Sequence, residues 1–150
     1  MKGQTLIEAL AALGIISIVI TAISVAVTAA LSNAKYNQNE TLATKYAQQG
    51  SEIVNQIRDD NYNTFATDSG DYCLNDGQTT LGSASPGGCT SPNIGSFIRS
   101  VHIVQGGCGN GVAQVTVTVS FTDGKCQAGA FCHKQVADSC LSTVNPIQAP

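Results

Sequence analysis

Residues 9–34 contain no charged side chain. That run of about 26 residues exceeds the roughly 20 that a helix needs to cross a bilayer. Nothing else in the chain constrains the fold as much. A segment apolar on every side must be surrounded by lipid or protein, and a helix satisfies its own backbone there. We therefore expect a helix through residues 5–30. No proline occurs before Pro86, and the helical period continues past the apolar run. Leu42, Tyr46, Ile53 and Ile57 recur at steps of four or seven, with Ala47 and Val54 beside them, while Lys45, Gln49, Glu52 and Arg58 occupy the other side. Apolar positions at that spacing form one face of a helix of period 3.6. Gly50 is a weak point in this stretch, costing about 1 kcal/mol relative to alanine. The expectation is a single helix over about residues 5–58, roughly 80 Å long at ~1.5 Å per residue. Its first half would lie in membrane, and its second half would cover a globular domain.

The segment "DDNYNTFATDSGDYCLNDGQTTLGSASPGGCTSPN" (59–93) is rich in turn formers and has no sustained period, so it reads as a long loop. Loops of this length are uncommon unless functional or stapled. Strand signals follow. "FIRSVHIVQ" (97–105) is rich in β-branched residues, and Asn110-Gly111 is a turn pair. "VAQVTVTVSF" alternates Val115, Val117, Val119 and Phe121 with Thr116, Thr118 and Ser120, the pattern of a half-buried antiparallel strand. Asp123-Gly124 opens another turn, and "FCHKQVADSCLSTV" is a weaker third strand. The predicted fold class is α+β: a long N-terminal helix packed on a small three-stranded antiparallel meander. The expected divisions are a membrane half at 4–31, an amphipathic half at 32–60, a loop at 61–96 and a sheet region at 97–150.

All six cysteines, Cys73, Cys89, Cys108, Cys126, Cys132 and Cys140, lie outside the apolar run. An even set in sequence rich in Gly, Ser and Asn predicts a disulfide framework in an oxidising compartment. A small core is commonly supplemented by such bridges. Six cysteines allow 15 connectivities. Cys73 and Cys89 share the long loop, so a bridge between them is the simplest. Cys126 and Cys132 flank the turn after Asp123-Gly124. Cys108 ends the first strand and Cys140 lies near the end of the third, on the same side of an up-down-up sheet. Joining Cys108 to Cys140 spans two strand spacings of about 4.8 Å, near the limit of ~7 Å between α-carbons unless the strand ends curl together. Pairing Cys108 with Cys126 or Cys132 is the alternative.

The formal net charge is −3 and the isoelectric point about 5.1, so no basic footprint points to nucleic acid. A metal site is not expected. His102 and His133 are the only histidines and Cys132 adjoins His133, yet no C-x2-C or H-x3-5-H pair occurs. Both histidines are expected on exposed strand faces. Asp68, Asp71 and Asp76 share the loop, but their spacing is not that of an EF-hand. The glycines around Cys108 lack the G-K-[ST] ending of a phosphate loop, and no G-x-S-x-G occurs. Asn39-Glu40-Thr41 matches a glycosylation sequon but lies on a predicted helix. No enzyme signature and no cofactor motif are found.

Glu8 borders the apolar run, six residues after Lys2 and five after Gly3. A carboxylate at the edge of a membrane-length segment is costly. A secretory signal peptide with cleavage near Val27-Thr28-Ala29 does not fit, because the apolar run is longer than the usual 7–15 residues. A plain anchor explains the length and leaves Glu8 as an edge charge favoured by the helix dipole. A third reading explains more residues. "KGQTLIEALAALGIISI" resembles the N-terminal processing motif of type IV pilins and type II secretion pseudopilins. The resemblance implies a leader at residues 1–3, cleavage by a prepilin peptidase between Gly3 and Gln4, and N-methylation of Gln4. The family usually has Phe or Met where this chain has Gln4. Many major pilins have a proline midway along the membrane helix, and its absence here points to a minor pilin or pseudopilin. The exposed α-amino group would pair with Glu8 of a neighbouring subunit, neutralising two costly charges and setting the axial register.

The implied partners are the peptidase, other pilin or pseudopilin subunits, an inner-membrane assembly platform and membrane lipid. The implied location is a single-pass bacterial membrane protein with an extracytoplasmic C-terminal domain, assembled into a fimbrium. Some pseudopilins also bind calcium in the globular domain. The other function class is an anchored, disulfide-rich extracytoplasmic binding domain that does not polymerise.

Overall fold

The structure, a computed structural model, describes residues 4–143, with side chains from residue 7 onward. Helix α1 (Gln4–Asp60) runs for 57 residues and is followed by a single turn, α2 (Tyr62–Phe65). Four strands come next: β1 (Gly70–Cys73), β2 (Ile98–Gly109), β3 (Val112–Phe121) and β4 (His133–Ser142). The chain divides into two compact units, one ending at Gln38 and one starting at Asn39, and α1 contributes to both.

The sheet has the order β1-β2-β3-β4, with every neighbouring pair antiparallel. It therefore has four strands where the sequence pattern predicts three. The extra strand lies inside the segment expected to be loop, which also contains α2. Four residues, Gly-Asp-Tyr-Cys, are too few to display a period of two. Pairing creates the strand: Gly70 to Cys73 lie opposite Ile103 to Ser100 on β2. The next stretch stays irregular, with isolated bridges Tyr72–Ala84 and Ile94–Phe97.

On β3 the alternation predicts burial as observed. Ala113, Val115, Val117, Val119 and Phe121 are buried, and the residues between them are half-buried. Val101 and Ile103 of β2 and Leu141 of β4 join the same core. The α1 positions buried against it are Ala43, Ala47, Gly50, Val54 and Ile57, at alternating steps of four and three. Leu42, Tyr46 and Ile53 flank this line and are half-buried. From Ala43 to Gly50 the buried line thus consists of small residues, and Val54 and Ile57 continue it with larger ones.

Gly50 requires a correction. As a helix residue it is unfavourable, but here it lies directly against side chains of the sheet. A Cβ on Gly50 would stand 2.7 Å from Val117 Cγ1 and 3.1 Å from Arg99 Cδ. Packing at native density leaves no room for a methyl there.

The β2–β3 hairpin turns at Asn110-Gly111, with Gly109 opposite Val112. The register shifts between Val104 and Gly109, so 105–108 bulge out of the ladder. A bulge bends its strand and strengthens the local twist. The backbone at Gly107 then lies on the side chain of Gln114, where an added Cβ would meet Gln114 Cβ at 2.7 Å. Gln114 is opposite Cys140 on β4. The bulge thus carries Cys108 over the central strand toward β4.

Candidate functional site

In the unit ending at Gln38, α1 exposes Ile7, Leu10, Leu13, Ile18 and Ile23 among other large apolar side chains. Among the described residues, α1 is the one helix long and apolar enough to cross a membrane. Four of its hydroxyls bond to carbonyls within the helix. Ser17 Oγ donates to the Leu13 carbonyl at 2.8 Å, Thr21 Oγ1 to Ser17 at 2.8 Å, and Ser24 Oγ to Ile20 at 2.9 Å. Thr28 Oγ1 donates to Ser24 and Val25 at 3.0 and 2.9 Å. Back-bonding of this kind lets hydroxyls sit in apolar surroundings. With Gly14, these residues form a line at steps of three and four, the small-residue stripe along which helices approach closely in lipid. Glu8 is exposed on α1. At 100° per residue it lies on the side opposite Ser17. Gln4 is the first residue of α1, and Gly3, with the expected cleavage junction, lies outside the described residues.

In the second unit the six cysteines form three bridges: Cys73–Cys89, Cys108–Cys140 and Cys126–Cys132, with Cα–Cα separations of 5.4, 6.0 and 5.7 Å. The first ties the end of β1 to the loop. The second closes the bulged end of β2 onto β4 across β3, the curl that the bulge supplies. The third clips the β3–β4 connection.

The loop is also held by a residue the sequence reading did not single out. Arg99 on β2 is fully buried. Its Nε donates to the Leu74 carbonyl at 3.0 Å, Nη2 to Asn75 at 3.0 Å and Nη1 to Tyr46 of α1 at 3.3 Å. Burial lowers its pKa, with Asp76 and Tyr46 acting in the opposite direction. Its backbone is engaged as well: its N–H donates to Asn93 Oδ1 at 2.7 Å, and its carbonyl accepts from Asn93 Nδ2 at 2.8 Å. One cation thus ties helix, sheet and loop together through carbonyl groups. A single Arg in a β-branched run carries no signal of that role.

The histidines differ. His102 is exposed, as expected, and its Nδ1 lies 2.7 Å from Asp71 Oδ1 across the β1–β2 pair. Asp71 Oδ2 also accepts from the Gly87 N–H at 3.0 Å. The Gly87 bond chiefly, and His102 after it, holds the Asp71 carboxyl below its ordinary range. His133 is not on an open face. It is half-buried on the core side of β4, opposite Phe121, and its ring stacks on Phe121 with centroids 5.1 Å apart. Phe121 in turn packs on Phe97, and Phe97 on Tyr46 of α1. His133 Nε2 lies 3.2 Å from Asp123 Oδ1. That oxygen also accepts from the Lys125 and Cys126 N–H groups at 2.9 and 3.2 Å. The Lys125 N–H foremost, and His133 and Cys126 with it, lower the Asp123 pKa.

Asp123, Cys126, Cys132 and His133 consequently form one cluster, with ligand-capable atoms all within 4.8 Å of one another. Their sequence spacing matches no metal signature, and a sheet register brings them together. Asp68, Asp71 and Asp76 form no such group among the described residues. No family model, curated protein or solved structure matches the chain.

Proposed function

We propose that the chain is a structural subunit, of the minor class, in a type IV pilus or a type II secretion pseudopilus. A prepilin peptidase cleaves it between Gly3 and Gln4, Gln4 is methylated, and subunits polymerise through α1. The observation that supports this most is the course of α1. One helix contains a membrane-length apolar stretch beginning beside Glu8 and continues without a break into the stretch whose small residues pack on the sheet. A plain anchor needs no such continuity and no acidic residue at its edge.

The chemistry of assembly follows from α1. Back-bonded Ser17, Thr21, Ser24 and Thr28 give it a face that a second helix can approach in lipid or in a filament core. Glu8, on the opposite side, accepts the charged N-terminus of another copy. Two faces with different complements suit a helix that must touch several neighbours at once. The sheet, stapled by three bridges, remains outside the membrane in an oxidising compartment.

Mass spectrometry of the assembled protein tests the reading. The mature chain should begin at Gln4 with an N-methyl group, and Gly3→Val should block the cut. Glu8→Ala should leave the protein in the membrane and strongly reduce its co-purification with filaments. An intact Met1 in assembled material, or wild-type incorporation of Glu8→Ala, would favour the anchored, non-polymerising domain.

A further inference from the structure

We propose that Asp123, Cys126, Cys132 and His133 form a tetrahedral site for a zinc-class divalent cation once the Cys126–Cys132 bridge is reduced. Two thiolates, one imidazole and one carboxylate are a ligand set that suits zinc and its close analogues, and hard cations such as calcium require oxygen ligands instead.

The geometry is close to that of such a site. Ligand bonds of about 2.0–2.3 Å in a tetrahedron place ligand atoms roughly 3.3–3.8 Å apart. His133 Nε2 and Asp123 Oδ1 already stand at 3.2 Å. The Cys126 and Cys132 sulfurs, bonded to each other in this state, lie with these two atoms in a group that spans no more than 4.8 Å. The Cys126 and Cys132 α-carbons are 5.7 Å apart, so rotation of the two side chains lets the sulfurs part without moving the strands.

The surroundings hold the ligands in place. His133 is stacked on Phe121, and the Phe121–Phe97–Tyr46 row ties that ring to the core. Asp123 is held by the Lys125 and Cys126 N–H groups. Orienting contacts of this kind are what a metal site needs beyond its ligands. Cys132 is exposed, so a reductant can reach its sulfur.

In the oxidising compartment proposed above the bridge is the resting state, and it opens only by exchange with a dithiol reductant of the thioredoxin class. The reductant gives two electrons and two protons to the bridge and leaves as its own disulfide. The cation then displaces the two thiol protons, which pass to water. The oxidised chain would carry a clipped loop, and the reduced chain a loop closed by metal.

The test uses the full chain in detergent, with Co2+ as the probe. After anaerobic reduction, one Co2+ per chain should produce thiolate charge-transfer bands and the visible bands of tetrahedral coordination, and Zn2+ should displace it. The oxidised protein should show neither. Cys126→Ser/Cys132→Ser should abolish the bands, and Cys108→Ser/Cys140→Ser should keep them. His133→Gln and Asp123→Asn should each weaken binding about tenfold or more. X-ray absorption of the reduced wild type with Zn2+ should count two sulfur and two nitrogen or oxygen ligands, a readout that needs no variant to fold. Absent bands, bands retained in Cys126→Ser/Cys132→Ser, equal binding before reduction, or a shell of three or four sulfurs would each overturn the assignment.

Discussion

Gly50 on α1 and Val117 on β3 are so close that a Cβ on the glycine would lie 2.7 Å from Val117 Cγ1. Gly50→Ala gains up to about 1 kcal/mol of helix propensity. The overlap with Val117 and Arg99 costs about 1–3 kcal/mol. The expected balance is a loss of up to roughly 2 kcal/mol, read as a lower Tm of the full chain in detergent. A higher Tm would show that the helix can move off the sheet at little cost.

Arg99→Met keeps the apolar stem and removes the donors from the Leu74 and Asn75 carbonyls. The buried Leu74 carbonyl left without a donor costs about 1–3 kcal/mol and the carbonyl of exposed Asn75 less, and relief from burying a cation offsets part of that. We expect a net loss of about 1–3 kcal/mol, with earlier proteolysis between residues 74 and 97. Unchanged cleavage of this loop would mean that Asn93 and the Cys73–Cys89 bridge suffice to hold it.

The three bridges close loops of different length, with separations of 32, 16 and 6 residues for Cys108–Cys140, Cys73–Cys89 and Cys126–Cys132. Loop-closure entropy gives about 3.7, 3.1 and 2.2 kcal/mol in that order. Serine pairs should lower the urea midpoint in the same order, Cys108→Ser/Cys140→Ser most. Equal losses would indicate that native-state packing around the bridges, and not the unfolded chain, sets their contribution.

Asp71 adds a pH dependence. Its folded pKa is depressed by the Gly87 N–H and by His102, so its contribution is complete above the unfolded value of about 3.9. It is lost as pH falls from there through the lower folded value. The carboxylate faces solvent, so the amount is under about 1 kcal/mol. Asp71→Asn should be less stable than wild type at pH 6 and converge with it in acid, as urea midpoints at several pH values would show. A constant difference across that range would remove the carboxylate from the account.

Much of the architecture follows from local pattern. The uncharged run at 9–34, the period after Leu42 and the alternation at 113–121 each record the solvent their own side chains meet. Each persists long enough to be read, so α1 and β3 were legible in the sequence. The position of Glu8 at the edge of the apolar run was legible for the same reason.

Tertiary structure decided the rest, because those features depend on partners distant in the chain. β1 is four residues that become a strand only opposite β2. Gly50 looks like a defect until Val117 lies beneath it, and Arg99 looks like a surface charge until Leu74, Asn75 and Tyr46 surround its guanidinium. His133 meets Asp123 and the Cys126–Cys132 bridge because the β3–β4 register sets it opposite Phe121. Hydropathy reports one residue's preference for water. The contacts that hold the loop and gather that cluster are pairwise, and only the folded sheet brings the pairs together.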